Sequence, residues 1–309
     1  MAEMETLEEV LGQGQGIYSE LCRHEDIQFI VCPASLGDTV NVGAFLTTYK
    51  KIHNVKKVIL VVKEHQVPLA GIFPGADQCF ALTNDEMVSL RYYLTVFKKE
   101  KDNNVLYGYF SMKDDRLWET SNAKLTNFVD EYKSLILDIP LDSVIDNIRI
   151  PQINEEDRDR FTNTVLLMPF CQGKWRCSDD LWNGLISYYK EHGVREIYTN
   201  IGNPADHAIE GTEGLSLSVP ELLAYSDQFT KIIGIRGGIF DVLALRDDVK
   251  TDVITPDIES RFWGKCEIDT TRHPLYYGIK NLNPNAKVRE YSYTEGCDDT
   301  LIKEITITE

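Results

Sequence analysis

Three short stretches carry residues whose types and spacing can do chemistry. The first is Ala34-Ser35-Leu36-Gly37-Asp38-Thr39-Val40-Asn41, between an apolar run at 27–32 and a helix-periodic segment at 42–52. A strand, a glycine-containing turn and a helix together offer backbone N–H groups and a polar side chain to a ligand. Asp38 sits in that turn. An aspartate ahead of a helix is a good N-cap, accepting a backbone N–H. Placed against a substrate hydroxyl, the same carboxylate is a general base, and a helix N-terminus favours its charged form. Both readings stand on the local sequence.

The second stretch, Cys171-Gln172-Gly173-Lys174-Trp175-Arg176, follows an apolar run at 164–168 and precedes a helix expected to start at Ser178 or Asp179. Lys174, Arg176 and exposed backbone N–H groups can hold a diphosphate and stabilise its charge as it leaves. The alternative is a surface loop with two solvated cations and Trp175 packed on a neighbour. The third is Gly234-Ile235-Arg236-Gly237-Gly238-Ile239-Phe240-Asp241. Gly237 and Gly238 let a ligand approach the backbone, and Arg236 adds a planar cationic fork suited to phosphate. Close packing of a helix on a sheet would need the glycines but not Arg236.

The elements that must position these residues follow from the apolar pattern. Strands are expected at 27–32, 57–62, 78–82 and 104–109, with helices at 42–53, 65–72, 85–99 and 125–137 between and after them. The stretch 139–164 carries Pro140, Pro151 and the run Glu155-Glu156-Asp157-Arg158-Asp159-Arg160, which reads as a boundary. The alternation then restarts. Strands are expected at 164–168, 196–200, 231–235 and 249–254, with helices at 179–191, 218–226 and 239–245. Ser218 and Glu221 are spaced as a capping box. The tail from Pro256 reads as irregular, and 301–308 fits strand or helix. Residues 4–23 read as an amphipathic helix broken by Gly12-Gln13-Gly14-Gln15-Gly16. The pattern predicts an α/β chain with two Rossmann-like domains, 1–155 and 156–309, whose strand-to-helix turns face a common cleft.

Composition narrows the function. The chain has 309 residues, 49 acidic and 32 basic, for a formal net charge of −17. That disfavours nonspecific nucleic-acid binding and a polybasic membrane footprint, leaving at most peripheral membrane contact. It leaves room for a local basic pocket. No apolar run approaches the ~20 residues of a spanning helix, and the acidic N-terminus lacks a signal-peptide pattern, so the expected location is cytoplasmic. The seven cysteines form no Cys-x-x-Cys pair, and Cys171 and Cys177 have no histidine at ligand spacing. Reduced thiols and no metal site are expected.

The order and spacing of these motifs resemble the GT-B glycosyltransferases of the bacterial heptosyltransferase type, glycosyltransferase family 9, over about residues 26–255. Ser35-Leu36-Gly37-Asp38-Thr39 resembles that family's early Gly-Asp turn. Lys174-Trp175 with Asp180-Leu181-Trp182 resembles its Lys/Trp loop, and Leu217-Ser218-Val219-Pro220-Glu221-Leu222 its Ser-Leu-Glu-type helix start. Arg236-Gly237-Gly238 occupies the place of its Asp-Ser/Thr-Gly turn. There are departures. Arg236 stands where the family has aspartate, the following histidine is absent, and the family's acidic residue at Pro220 is offset to Glu221.

The resemblance implies an inverting, metal-independent transferase of sugar from a nucleotide-diphosphate sugar to a hydroxyl of a glycan or lipid-linked glycan acceptor, as in surface-polysaccharide biosynthesis. Asp38 would be the catalytic base. Lys174, Arg176, Glu221, Arg236, Gly237, Gly238 and the helix after them would hold the donor on the C-terminal half. The donor is a co-substrate, so no cofactor is implied. Asp157-Arg158-Asp159 superficially matches the Asp-x-Asp of metal-using glycosyltransferases but reads as a solvated face. A non-catalytic sugar-nucleotide-binding protein on the same fold is the alternative. A nicotinamide-dependent oxidoreductase is disfavoured, because only Gly37 follows the first strand where three glycines are required.

Overall fold

The computed structural model describes residues 6–99, 101–102, 104–109, 127–170, 176–202, 206–256 and 278–307. The chain divides into two compact units, Met1–Arg149 and Ile150–Glu309.

The first unit holds a five-stranded sheet of β1 (Gln28–Val31), β2 (Val58–Lys63), β3 (Gln78–Leu82), β4 (Lys101–Asp102) and β5 (Val105–Tyr107). Their order is β3-β2-β1-β5-β4, parallel except for the β4–β5 pair. The helices are α1 (Leu7–Cys22), α2 (Leu36–Gly43), α3 (Leu46–Ile52), α4 (Val67–Ala70), α5 (Asn84–Val96) and α6 (Phe128–Glu131). After α6 the chain winds more widely, as a π-helix over Tyr132–Ile136. Phe29, Val31, Ile59, Val61, Val105 and Tyr107 alternate onto one sheet face. There they meet Tyr18 and Leu21 of α1 and Met87, Leu90 and Leu94 of α5. Asn104 ties the end of α1 to the sheet, donating from its amide to the carbonyls of Leu21, His24 and Ile27.

The second unit is a wholly parallel sheet ordered β11-β10-β9-β6-β7-β8. Its strands are β6 (Thr164–Met168), β7 (Glu196–Asn200), β8 (Glu213–Leu215), β9 (Lys231–Ile235), β10 (Thr251–Pro256) and β11 (Val288–Tyr293). Its helices are α7 (Asp179–Glu191), α8 (Val219–Tyr225), α9 (Gly238–Leu243) and α10 (Asp298–Ile307). Strands β6, β9 and β10 are buried along their whole length. Leu166, Met168, Ile232 and Val253 face α8 and α9, while Val165, Leu167, Ile233 and Ile235 face α7 and α10. Covering both faces is what makes these strands near-continuous apolar runs.

Several expectations need correction. Gly12, Gly14 and Gly16 do not break a helix; they lie inside the continuous α1. The reason is packing. A Cβ on Gly14 would stand 2.2 Å from the Ser89 carbonyl oxygen, so Gly14 lets α1 lie directly on α5. Gly12 and Gly16 face open space. The helix expected from Val42 begins at Leu36 instead, so Asp38 is in its first turn and not ahead of it. Three strands, β4, β8 and β11, were not anticipated. The tail segment that fitted strand or helix is helical over Asp298–Ile307. The residues of the 125–137 segment before 127 lie outside the described ones. In Asp157-Arg158-Asp159, Arg158 and Asp159 are exposed, as expected of a solvated face, while Asp157 closes a 3-10 turn and is half-buried. Among the described residues no helix is long and apolar enough to cross a membrane.

The three glycines give opposite predictions. Gly14→Ala should lower stability by about 1–3 kcal/mol through overpacking against α5. Gly12→Ala and Gly16→Ala should each raise it by about 0.5–1 kcal/mol, because glycine weakens an exposed helix interior. Urea unfolding followed by circular dichroism separates them; the same effect at all three would contradict the packing of α1 on α5.

Candidate active site

In an open parallel sheet, ligands bind outside the carboxyl ends of the strands where the strand order reverses. In the first unit the chain runs outward from β1 through β2 to β3, then returns to β5 on the other side of β1. The reversal therefore lies between β1 and β5. Ser35 and α2 follow β1, and Gly108 and Tyr109 follow β5.

Ser35 is the N-cap of α2 and Asp38 its third helical residue. The Asp38 Oδ2 accepts from the Ser35 backbone N–H at 2.8 Å and from the Ser35 hydroxyl at 2.6 Å. This is the carboxylate half of a capping box. Thr39 and Asn41 donate back to the carbonyls of Ser35 and Gly37, which draws these polar residues into the helix. The Asp38 Oδ1 accepts from the hydroxyl of Tyr132 at 2.6 Å. Asp38 is 8% exposed and Tyr132 is fully buried. Burial, then the charge of Asp38, push the Tyr132 phenol well above its usual range; the same two causes raise Cys32 and Tyr109. Tyr132 was missed in the sequence. It lies 94 residues from Asp38, and nothing local marks it.

The second unit reverses between β6 and β9, since the chain runs β6-β7-β8 one way and β9-β10-β11 the other. The second motif follows β6 in the chain, and the third follows β9. Residues 171–175, and with them Lys174, lie outside the described residues. Arg176 is exposed just ahead of Ser178, which caps α7 by accepting from the Leu181 N–H. Glu221 stands elsewhere, at the start of α8 beyond edge strand β8. It closes the expected capping box, accepting from the Ser218 N–H at 2.7 Å and hydroxyl at 2.6 Å. Those two bonds hold its carboxyl below the usual range.

Arg236, Gly237 and Gly238 cross from β9 into α9. Gly237 caps the helix in an extended conformation that any residue adopts, and neither glycine has a positive φ. Packing requires a glycine at position 234, where a Cβ would meet the Met168 carbonyl oxygen at 2.5 Å. Arg236 has a structural role after all. Its guanidinium grips Asp241 in two parallel bonds of 3.0 and 2.7 Å and also donates to the Gly237 carbonyl. Their side chains are 13% and 8% exposed, so this is a largely desolvated ion pair. The turn into α9 brings Asp241 back to Arg236 across five residues, and that spacing was the signal in the sequence. Glu290 on β11 completes the group. It accepts from the Ile279 N–H at 2.9 Å. Burial pushes its carboxyl up, and the Ile279 N–H bond, then the Arg236 charge, partly offset this. Among the described residues no three His, Cys, Asp or Glu side chains gather as a metal site.

Two predictions follow from this electrostatics. Asp241→Asn leaves Arg236 without its carboxylate and should cost about 3 kcal/mol or more in unfolding experiments; a neutral result would mean that water screens the pair. Because the folded state holds the Glu290 proton more tightly than the unfolded chain, the contribution of Glu290 to stability falls as pH rises above the ordinary glutamate range. Glu290→Gln should therefore raise the melting temperature at pH 7 to 8, with the gain shrinking toward pH 4; a gain that grows on acidification would contradict the sign.

The sequence matches no known family profile and no curated protein. The fold does have solved relatives. A glycosyl transferase family 9 protein from Veillonella parvula superposes with a TM-score of 0.59 at 12% identity, covering 91% of this chain and 89% of its own. The Escherichia coli ADP-heptose lipopolysaccharide heptosyltransferase II gives a TM-score of 0.60 at 11% identity, with 91% and 97% covered. The E. coli heptosyltransferase WaaC, solved with ADP, gives 0.56 at 12%, with 92% and 100% covered. The chain has the α/β fold of the GT-B heptosyltransferases.

Proposed function

We propose that this protein is an inverting, metal-independent glycosyltransferase. It moves a sugar from a nucleotide-diphosphate sugar to a hydroxyl of a glycan or lipid-linked glycan acceptor, as a cytoplasmic step of surface-polysaccharide biosynthesis. The observation that carries this reading is Asp38: a carboxylate fixed at the β1/β5 reversal, in a fold shared with sugar-transferring enzymes. The acceptor belongs to the first unit and the donor to the second.

In the reaction the acceptor hydroxyl gives its proton to Asp38, and its oxygen attacks the anomeric carbon from the side opposite the leaving group. The bond from that carbon to the diphosphate oxygen breaks, and its electron pair leaves with the diphosphate. Lys174 and Arg176, on the loop that leaves β6, stabilise the charge that develops there. The Arg236 fork is already engaged by Asp241, so it contributes less net charge than a solitary arginine would. Gly237 and Gly238 keep side chains away from the diphosphate, and the helix start that Glu221 caps lies on the nucleoside side of the donor. The cations serve where other transferases use a divalent metal. ADP is the first nucleotide to try, because WaaC was solved with it.

That engagement of Arg236 also favours a second reading, a sugar-nucleotide-binding protein without transferase activity. A thermal-shift panel of ADP-, GDP-, UDP-, CDP- and dTDP-sugars, paired with nucleoside-diphosphate release, separates the two. The matching nucleotide should stabilise the fold by about 2.7 kcal/mol at a hundredfold excess over its Kd. Asp38→Asn should keep that stabilisation and lose about 10²–10⁴ in turnover. Excess chelator should leave wild-type turnover unchanged, and strict Mg²⁺ or Mn²⁺ dependence would overturn the metal-free mechanism. Binding without any release would favour the second reading.

A further inference from the structure

A carboxylate has about four lone-pair sites on its two oxygens. On Asp38, the Ser35 N–H and hydroxyl occupy both sites of Oδ2, at 2.8 and 2.6 Å. The Tyr132 hydroxyl occupies one site of Oδ1, at 2.6 Å. One site remains among the described residues, and it is on Oδ1. A substrate hydroxyl bonded to this carboxylate has therefore a single place to stand, beside the Tyr132 hydroxyl.

Tyr132 is held independently of Asp38. Its ring packs edge-on against Phe128 at 5.1 Å. It opens the π-helical segment, closed by the bond from the Leu137 N–H to the Tyr132 carbonyl at 2.9 Å. A ring nitrogen of His53 lies 2.8 Å from the Leu137 carbonyl and pins the end of the segment to α3. Single π turns inside helices recur at functional sites. Tyr132, at the head of this one, is the side chain that reaches Asp38. Burial and the Asp38 charge keep its phenol protonated far above neutrality, so it remains a donor at working pH.

We propose that Tyr132 is a positioning residue for glycosyl transfer, closing one lone pair of the Asp38 Oδ1 so that the acceptor hydroxyl is bound in one direction only. This rests on the glycosyl-transfer reading above. The acceptor proton goes to the open site of Oδ1. Tyr132 keeps its own proton throughout, and the electron pair of the broken sugar–phosphate bond leaves with the nucleoside diphosphate.

The test is a cycle of Tyr132→Phe, Asp38→Asn and the double variant, assayed by nucleoside-diphosphate release from the five-sugar panel. Tyr132→Phe should lower kcat about ten- to hundredfold, the scale of a small misplacement of a reacting group. The donor KM should stay within about twofold, because the donor is held by other residues. In the Asp38→Asn background, Tyr132→Phe should change turnover by less than about twofold, since its effect passes through that carboxylate. Proton NMR supplies a readout that needs no turnover. A slowly exchanging tyrosine hydroxyl signal should be present in the wild type, absent in Tyr132→Phe and shifted in Asp38→Asn. Additive losses of turnover, an unchanged kcat, or no such signal would overturn the proposal. A wild type inert toward the whole panel would overturn the glycosyl-transfer reading and this proposal with it, whereas an active wild type with additive losses overturns this proposal alone.

Discussion

Burial of both faces of the central strands of two largely parallel sheets is the constraint on which the rest of the molecule depends. Strands β6, β9 and β10 have no solvent face, so helices must cover both sides of that sheet. Polar chemistry is thereby pushed off the faces and onto the strand ends. The order of strands then decides which ends matter. Each sheet reverses direction beside its first strand, between β1 and β5 in one unit and between β6 and β9 in the other. The first motif leaves β1, and the other two leave β6 and β9.

At each reversal one charged side chain is satisfied from within the protein. Asp38 is held by Ser35 and Tyr132, and Arg236 by Asp241. Stability and chemistry draw on the same groups. A carboxylate anchored by three donors is well aimed, because its own rotation is suppressed before any ligand arrives. A guanidinium closed on a buried carboxylate is partly neutralised, so in the proposed reaction the charge that meets a leaving diphosphate would come mainly from Lys174 and Arg176. The alternation of Asp and Arg with their partners thus sets which half of the proposed reaction is preorganised by this chain.

Much of the fold was legible in the sequence, for a physical reason. The strands at 78–82, 164–168, 196–200 and 231–235 and the helix at 179–191 have the boundaries expected of them. The buried strands among them are short apolar runs bounded by turn residues, and α7 has a clear apolar stripe behind its Ser178 cap. What escaped is what depends on partners. Strand β11, Val288-Arg289-Glu290-Tyr291-Ser292-Tyr293, is too polar to read as buried. Its Arg289 is accommodated by a bidentate pair with the buried Asp252 on the neighbouring strand. The continuity of α1 depended on Ser89, and the early start of α2 on a capping box spread over polar residues that read as a turn. The site divides the same way. Asp38 and Arg236 stand out by type and position and Asp241 by its five-residue spacing, whereas Tyr132 and Glu290 are brought to them by folding.

On the proposed function, a nucleoside diphosphate binds at the β6/β9 reversal. A crystal structure of the protein with ADP, or with whichever diphosphate stabilises it most, tests this. The expected result is a diphosphate against the segment after β6 and the Arg236-Gly237-Gly238 turn, with the Lys174 ammonium or the Arg176 guanidinium in hydrogen-bonding distance of a phosphate oxygen. A nucleotide bound at the strand ends of β1 and β5 instead, or anywhere away from β6 and β9, would contradict it.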